Sequence, residues 1–114
     1  AGQVGASIAH QLADEHHDVT VIDIAPELVT RLSNTIDVQG IVGHASHPNV
    51  LEAAGAAQAD MLIAATHSDE VNMVACQVAH TLFSVPTKVA RLRTQCYLNR
   101  DWRTLFGPQN LPID

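Results

Sequence analysis

Two glycines at the start of the chain have the spacing of a phosphate-binding turn. Gly2 and Gly5 match the second and third glycines of the pattern G-x-G-x-x-G, which let a diphosphate approach the backbone and a helix pack against a strand. A helix that opens at Gln3 would direct its unpaired N–H groups and the positive end of its dipole at such an anion. Because G-x-x-G turns also serve helix packing alone, both roles stay open for these residues.

An acidic residue follows at the position where a dinucleotide site needs one. Asp23 ends the β-branched run Val19–Ile22 and lies 18 residues after Gly5, near the spacing of about 20 at which a carboxylate accepts the ribose hydroxyls. The same carboxylate repels a 2′-phosphate, and no arginine follows it directly. The pattern therefore favours NAD or an adenosine nucleotide over NADP, with capping of a turn as the alternative role of Asp23.

Further polar residues follow two predicted strands, where ligands of open α/β sheets bind. Thr66 and His67 come after the apolar run Met61–Ala65, and Arg91 lies near the end of a later strand, within reach of a ligand phosphate. Capping of the next helix is the alternative role of Thr66 and His67, and a solvated or ion-paired face is the alternative for Arg91 and Arg93. We assign no function to the acids and the amide of that helix's first turn, Asp69, Glu70 and Asn72.

The sequence does not favour a metal site or a catalytic site. Seven histidines are present, but none forms a helical H-x-x-x-H pair joined to a third ligand, and Cys76 is expected to be a buried structural thiol. No nucleophile has an evident base beside it, and no second domain presents a substrate. We therefore expect a chain that binds a ligand without turning it over.

Helices and strands must alternate to position these residues. Helical stripes begin at Gln3, at Pro26 and after Ser68, the last one carried by Val71, Val74, Ala75, Val78 and Leu82. Strands are predicted over 18–23, 38–42, 61–65 and 88–92, a short helix over 48–54 capped by Gly55, and a weaker helix over 97–105 before a tail over 107–114. This order predicts an α/β fold with a Rossmann-type doubly wound parallel sheet, in which a first strand ahead of Gly2 is missing from this sequence.

Size and charge limit the partners. The 114 residues suit one domain, and the formal net charge of −6 without a Lys/Arg run argues against nucleic acid. The two cysteines have no C-x-x-C spacing, which fits a reducing cytoplasm. No apolar stretch approaches the ~20 residues of a membrane span, so we expect membrane association only through a partner.

Six segments of the sequence closely resemble the N-terminal nucleotide-binding domain of the TrkA-type potassium-uptake proteins, also called the RCK or KTN domain. They are Ala1–Gly5, Val19–Asp23, Gly43–Pro48, Ala59–Ala64, Asp69–Ala79 and Ala90–Arg93. The resemblance implies a cytoplasmic regulatory domain that binds NAD(H), with ATP or ADP as further ligands. It maps the cofactor positions onto Ala1, Gly2, Gln3, Val4, Asp23, Thr66, His67 and Arg91, where His67 replaces a smaller polar residue.

The resemblance also implies partners. It predicts a membrane potassium-translocating subunit of the Trk type and, through apolar helix faces left over from the sheet, at least a homodimer. Family members usually carry a further ligand-binding domain, so this chain alone is not expected to gate transport. Three alternatives remain: an NAD-dependent oxidoreductase fragment, an assembly domain with an empty cleft, and the regulatory domain of another potassium channel or efflux antiporter.

Overall fold

The computed structural model describes residues 3–93 and shows the expected alternation of helices and strands. In chain order the elements are α1 (Gln3–Asp14), β1 (Thr20–Asp23), α2 (Pro26–Thr35), β2 (Gln39–Val42), α3 (Pro48–Ala53), a 3₁₀ turn (Ala56–Gln58), β3 (Met61–Ala64), α4 (Asp69–Phe83) and β4 (Thr87–Ala90). The strands are shorter than predicted by one or two residues, and the 3₁₀ turn was not predicted. The helix predicted over 97–105 and the tail over 107–114 lie outside the described residues.

Parallel pairing joins the four described strands into two pairs. In the first pair the register runs from Thr20 opposite Gln39 to Asp23 opposite Val42. In the second pair it runs from Met61 opposite Thr87 to Ala64 opposite Ala90. Parallel pairs connected through helices are the βαβ units that the sequence predicts, which confirms the mixed α/β architecture.

A groove of about 750 Å³ lies along α1, β1 and β3. Its walls include Leu12 from α1, Val21 from β1 and Ile63 from β3, so much of its lining is apolar. The strand predicted ahead of Gly2 stays a prediction, and the groove between β1 and β3 is wide enough in the fold to be tested as its place.

Local signals explain several helix ends. Pro26 and Pro48 each occupy the first turn of a helix, where a missing N–H costs no hydrogen bond. Gly55, at φ 88°, takes the left-handed conformation between α3 and the 3₁₀ turn, as expected for a residue just after a helix. Ser68 caps α4 by accepting a hydrogen bond of 3.2 Å from the backbone N–H of Val71.

Small side chains form much of the buried face of helix α4, which packs on β3 and β4. Ala75, Cys76 and Ala79 are almost completely buried, and the first two form a cluster with Ala64. The predicted apolar stripe was wrong at Val74 and Leu82, which are 47% and 57% exposed. Small residues allow the helix to lie close to the strands, and Val74 and Leu82 remain at the surface.

Strand β4 ends at Ala90, so the strand predicted over 88–92 was wrong at its carboxyl end. Arg91 and Arg93, which the sequence predicts to alternate along this strand and so to share one face, follow the strand instead. The physical reason is that side chains of α4 take over the hydrogen bonds of this segment: Asn72 binds the carbonyl of Arg91, and Asp69 binds the N–H of Arg93.

Candidate functional site

Helix α1 begins at Gln3, as predicted. Of the residues expected to bind the cofactor here, Ala1 and Gly2 lie outside the described residues. Val4 is exposed in the first turn of the helix, and Gly5 is half-buried and borders the groove. A helix N-terminus presents backbone N–H groups without helical partners, which is the chemistry that an anionic ligand requires.

Asp23 is the last residue of β1 and is half-buried. Its Oδ1 accepts a hydrogen bond of 2.8 Å from the backbone N–H of Ala25, and its carbonyl accepts one of 2.9 Å from Gly43. The turn that leads into α2 is therefore formed by Asp23, the role considered as an alternative to ribose binding. The same bond fixes the orientation of the carboxylate, so the two roles are compatible.

Thr66 lies in the loop between β3 and α4, and its hydroxyl both donates and accepts a hydrogen bond. Its Oγ1 donates to Asn72 Oδ1 at 2.7 Å and accepts from the backbone N–H of Ser68 at 3.2 Å. Thr66 also borders the groove, whereas the neighbouring His67 is exposed. The loop is thus ordered by the first turn of the helix that it precedes.

The structure brings Thr66 and Arg91 together through the ends of β3 and β4. The backbone N–H of Arg91 donates to the carbonyl of Ala64 at 2.9 Å, two residues before Thr66. Arg91 is half-buried and Arg93 is exposed. Asp23 belongs to the other strand pair, at the end of β1, and Gly5 and Thr66 both border the groove between the pairs.

The burial of Asn72 and Asp69, next to the predicted site residues Thr66 and Arg91, was not predicted from the sequence. Asn72 is 0% exposed and Asp69 is 5% exposed, although both belong to the first turn of a helix, where polar side chains usually face solvent. A signal existed in the sequence, since Asn72 lies four residues before Cys76, which was expected to face inward. Residues four apart share one helix face, so Asn72 had to be buried too.

Metal-ligating side chains do not cluster in the described part of the chain. The rings of His44 and His47 stack with centroids 4.7 Å apart in the loop after β2. No group of three or more histidine, cysteine or acidic side chains within residues 3–93 could hold a metal ion. Cys76 is completely buried, as expected from its helix face.

Comparison with known proteins decides the family. The family model of the TrkA-N domain matches residues 1–100. The chain belongs to the TrkA-N family. Along all of its 114 residues, this TrkA-N domain is 56% identical to a Trk system potassium uptake protein TrkA from Azorhizobium caulinodans and 50% identical to one from Halomonas elongata. It spans 25% and 24% of the lengths of these relatives.

Solved structures show the same fold. The TrkA-N domain superposes on a structure described as the GsuK channel bound to NAD with a TM-score of 0.66 and 20% identity, over 86% of this chain and 17% of that one. This likeness supports a Rossmann-like arrangement of its helices and parallel strands. In residues 3–93, none of the helices combines the length and the apolar character needed to cross a membrane.

Proposed function

We propose that this TrkA-N domain binds NAD(H) and acts as the ligand sensor of a Trk-type potassium uptake system. The observation that carries the proposal is the pairing of a helix N-terminus at Gln3–Gly5 with an oriented carboxylate, Asp23, at the end of β1. These are the two groups that a dinucleotide needs, one for its diphosphate and one for its ribose. The names of the relatives and of the NAD-bound GsuK structure support the same ligand and system.

Each proposed contact has a physical role. The N–H groups at Gly2–Gly5 receive the diphosphate, and Asp23 accepts the ribose hydroxyls. Thr66 and His67 line the ligand from the end of β3, and the Arg91 guanidinium pairs with a phosphate. ATP and ADP share the diphosphate and the ribose with NAD, so they are further ligands of the same site.

Nucleotide can regulate potassium transport if it binds two arrangements of the protein with different affinities. In the proposed assembly, the domain acts on the cytoplasmic side of a membrane potassium-translocating subunit and pairs with a second copy of itself. The outward stripe of α4, formed by Val74, Val78 and Leu82, provides an apolar surface for that pairing. Nucleotide that favours one arrangement of the copies would then shift the transporter toward one state.

Calorimetry on the full-length protein that contains this domain tests the proposal. NADH, NAD, NADPH and ATP are titrated into the wild type, the Asp23→Ala variant and the exposed control Asp37→Ala. We expect NADH or NAD to bind at about micromolar levels, and NADPH to bind about tenfold or more weakly. Asp23→Ala should weaken NADH roughly 10- to 100-fold and reduce the preference against NADPH, because a hydrogen bond to a charged group is lost.

Two results would count against nucleotide sensing. If none of the four nucleotides binds the wild type, the domain is an assembly domain with an empty cleft. If Asp23→Ala and Asp37→Ala bind NADH equally well, the ligand does not use the end of β1. A full-length protein that oxidises or reduces a substrate with NAD would instead support the oxidoreductase alternative.

A further inference from the structure

The side chain of Asn72 bridges the ends of two neighbouring strands. Its Oδ1 accepts from the backbone N–H of Thr66 at 2.9 Å and from the Thr66 hydroxyl at 2.7 Å. Its Nδ2 donates to the carbonyl of Thr66 at 3.2 Å and to the carbonyl of Arg91 at 2.8 Å. These four bonds use both acceptor positions and both N–H groups of the amide.

The orientation of this amide is fixed by its neighbours. A backbone N–H can only donate and a carbonyl can only accept, so the oxygen must face the Thr66 N–H and the nitrogen must face the Arg91 carbonyl. A carboxylate in the same place would lack both donors, and an aliphatic side chain would lack all four bonds. Because Asn72 is completely buried, water does not replace a lost partner without a rearrangement.

Helix capping does not account for Asn72. Ser68 already caps α4, and the backbone N–H of Asn72 donates to the carbonyl of Ser68 at 3.0 Å as part of the helix. All four bonds of the Asn72 side chain leave the helix and end on the loop after β3 or the segment after β4. Asp69 adds a second bond to that segment, since its Oδ1 accepts from the backbone N–H of Arg93 at 2.9 Å.

We propose that Asn72 is a positioning residue of the nucleotide site, which sets the backbone of Arg91 at a fixed place relative to Thr66. The inference rests on the proposed function, in which these two residues contact the ligand. Thr66 and Arg91 belong to different strands, and a ligand that touches both must otherwise order them when it binds. Because Asn72 already orders Thr66 and Arg91 when the protein folds, the ligand does not have to order them, and the affinity for nucleotide increases. Asn72 itself does not contact the ligand.

Replacement of the amide by a carboxyl group gives a test with a pH signature. Asn72→Asp keeps the acceptor oxygens but, when ionised, leaves the carbonyls of Thr66 and Arg91 without their donor. Burial raises the pKa of the new carboxyl group, and its protonated form recovers one O–H donor. NADH affinity of the full-length Asn72→Asp protein should therefore fall roughly 10- to 100-fold at about pH 8, and recover severalfold toward about pH 5.5.

Two further variants separate positioning from general damage. Asn34→Asp makes the same chemical change on the exposed side of α2, and its NADH affinity should follow that of the wild type at every pH. Asn72→Ala has no donor at any pH, so its affinity should stay low throughout. Circular dichroism and thermal unfolding at each pH give the folded fraction, and affinities are calculated for folded protein only.

The outcomes distinguish this inference from the proposed function. If the wild type binds NADH and Asn72→Asp binds it equally well at about pH 8, Asn72 does not position the site and nucleotide binding still stands. If Asn72→Asp is weakened to the same extent at all pH values, like Asn72→Ala, the residue is only structural and the inference fails. If the wild type binds no nucleotide at all, both the function and the positioning role are overturned.

Discussion

The Asp69 carboxylate accepts a hydrogen bond of 2.9 Å from the backbone N–H of Arg93, a residue 24 positions later in the chain. The bond connects the first turn of α4 to the segment that leaves β4. Asp69 is 5% exposed, so an oxygen that loses this donor would not be well solvated. The position of the chain after β4 therefore depends on a side chain of a helix.

Removal of the Asp69 carboxylate should reduce stability. We expect Asp69→Ala to lower the free energy of unfolding by about 1–3 kcal/mol, because a buried charge-assisted hydrogen bond is lost. Asp69→Asn should cost less than Asp69→Ala, since its amide oxygen still accepts from Arg93. Urea unfolding followed by circular dichroism measures both, with the exposed Glu52→Ala as control. Equal stability of Asp69→Ala and Glu52→Ala would show that the bond contributes nothing.

Gly40 of β2 should not tolerate a side chain. A Cβ on Gly40 would collide with Cγ1 of Val29 and lie 2.8 Å from Oγ of Ser33. Val29 is buried in α2 and has little rotamer freedom, so the helix must shift. We expect Gly40→Ala to lower the free energy of unfolding by about 1–3 kcal/mol.

A second substitution that removes the colliding atoms tests whether the collision at Gly40 causes the loss of stability. Val29→Ala removes the side chain that the new Cβ would meet, so the double variant Gly40→Ala/Val29→Ala should be more stable than the sum of the two single changes predicts. Urea unfolding of the four proteins in this cycle gives the interaction energy. An additive cycle would mean that the two positions do not collide and that any loss at Gly40 has another cause.

The order of the helices and strands could be predicted from the sequence because it depends on local sequence features. Apolar periodicity separates the helices from the strands, Pro26 and Pro48 begin two helices, and Ser68 caps α4. Asp23 was predicted to end a strand for a similar reason, and it is the last residue of β1; its place in a ligand site stays a prediction. These features depend on neighbours within a few residues.

The features that the sequence did not predict depend on which elements meet. Val74 and Leu82 are more hydrophobic than Ala75 and Ala79, yet close packing on β3 and β4 selects the alanines for the interior. From the sequence alone Asn72 is a polar residue in the first turn of a helix, but the partners of its side chain lie 6 and 19 positions away. The end of β4 is likewise set by hydrogen bonds from α4 to Arg91 and Arg93, and not by the residues of the strand itself.

The groove between β1 and β3 should accept a parallel strand. A segment of about five Val and Ile residues placed directly ahead of Ala1 is expected to enter this groove and cover its apolar wall. Since burial of apolar surface stabilises the fold, we expect the melting temperature to rise by roughly 5 °C or more. Differential scanning calorimetry measures the change, and a Gly/Ser segment of equal length is the control. Equal melting temperatures for the two segments would show that the groove takes no strand.

The outward stripe of α4 should mediate contact between copies. Val74 and Leu82 are 47% and 57% exposed, eight residues apart on one helix face, which places them where a symmetric helix pair could bury both. Introduction of two carboxylates, in Val74→Glu/Leu82→Glu, would place like charges opposite one another across such an axis. We expect the dissociation constant of the dimer to rise about 30-fold or more, measured by sedimentation velocity on the full-length protein.

The control for this surface is a charge on a different helix. Thr30→Glu adds a carboxylate to the exposed side of α2 and should leave self-association unchanged. If both variants dissociate alike, net charge rather than the α4 stripe governs assembly, because added negative charge on an acidic protein opposes association wherever it is placed. If the α4 variant stays dimeric while the wild type is dimeric, the copies meet elsewhere and the stripe does not mediate their contact.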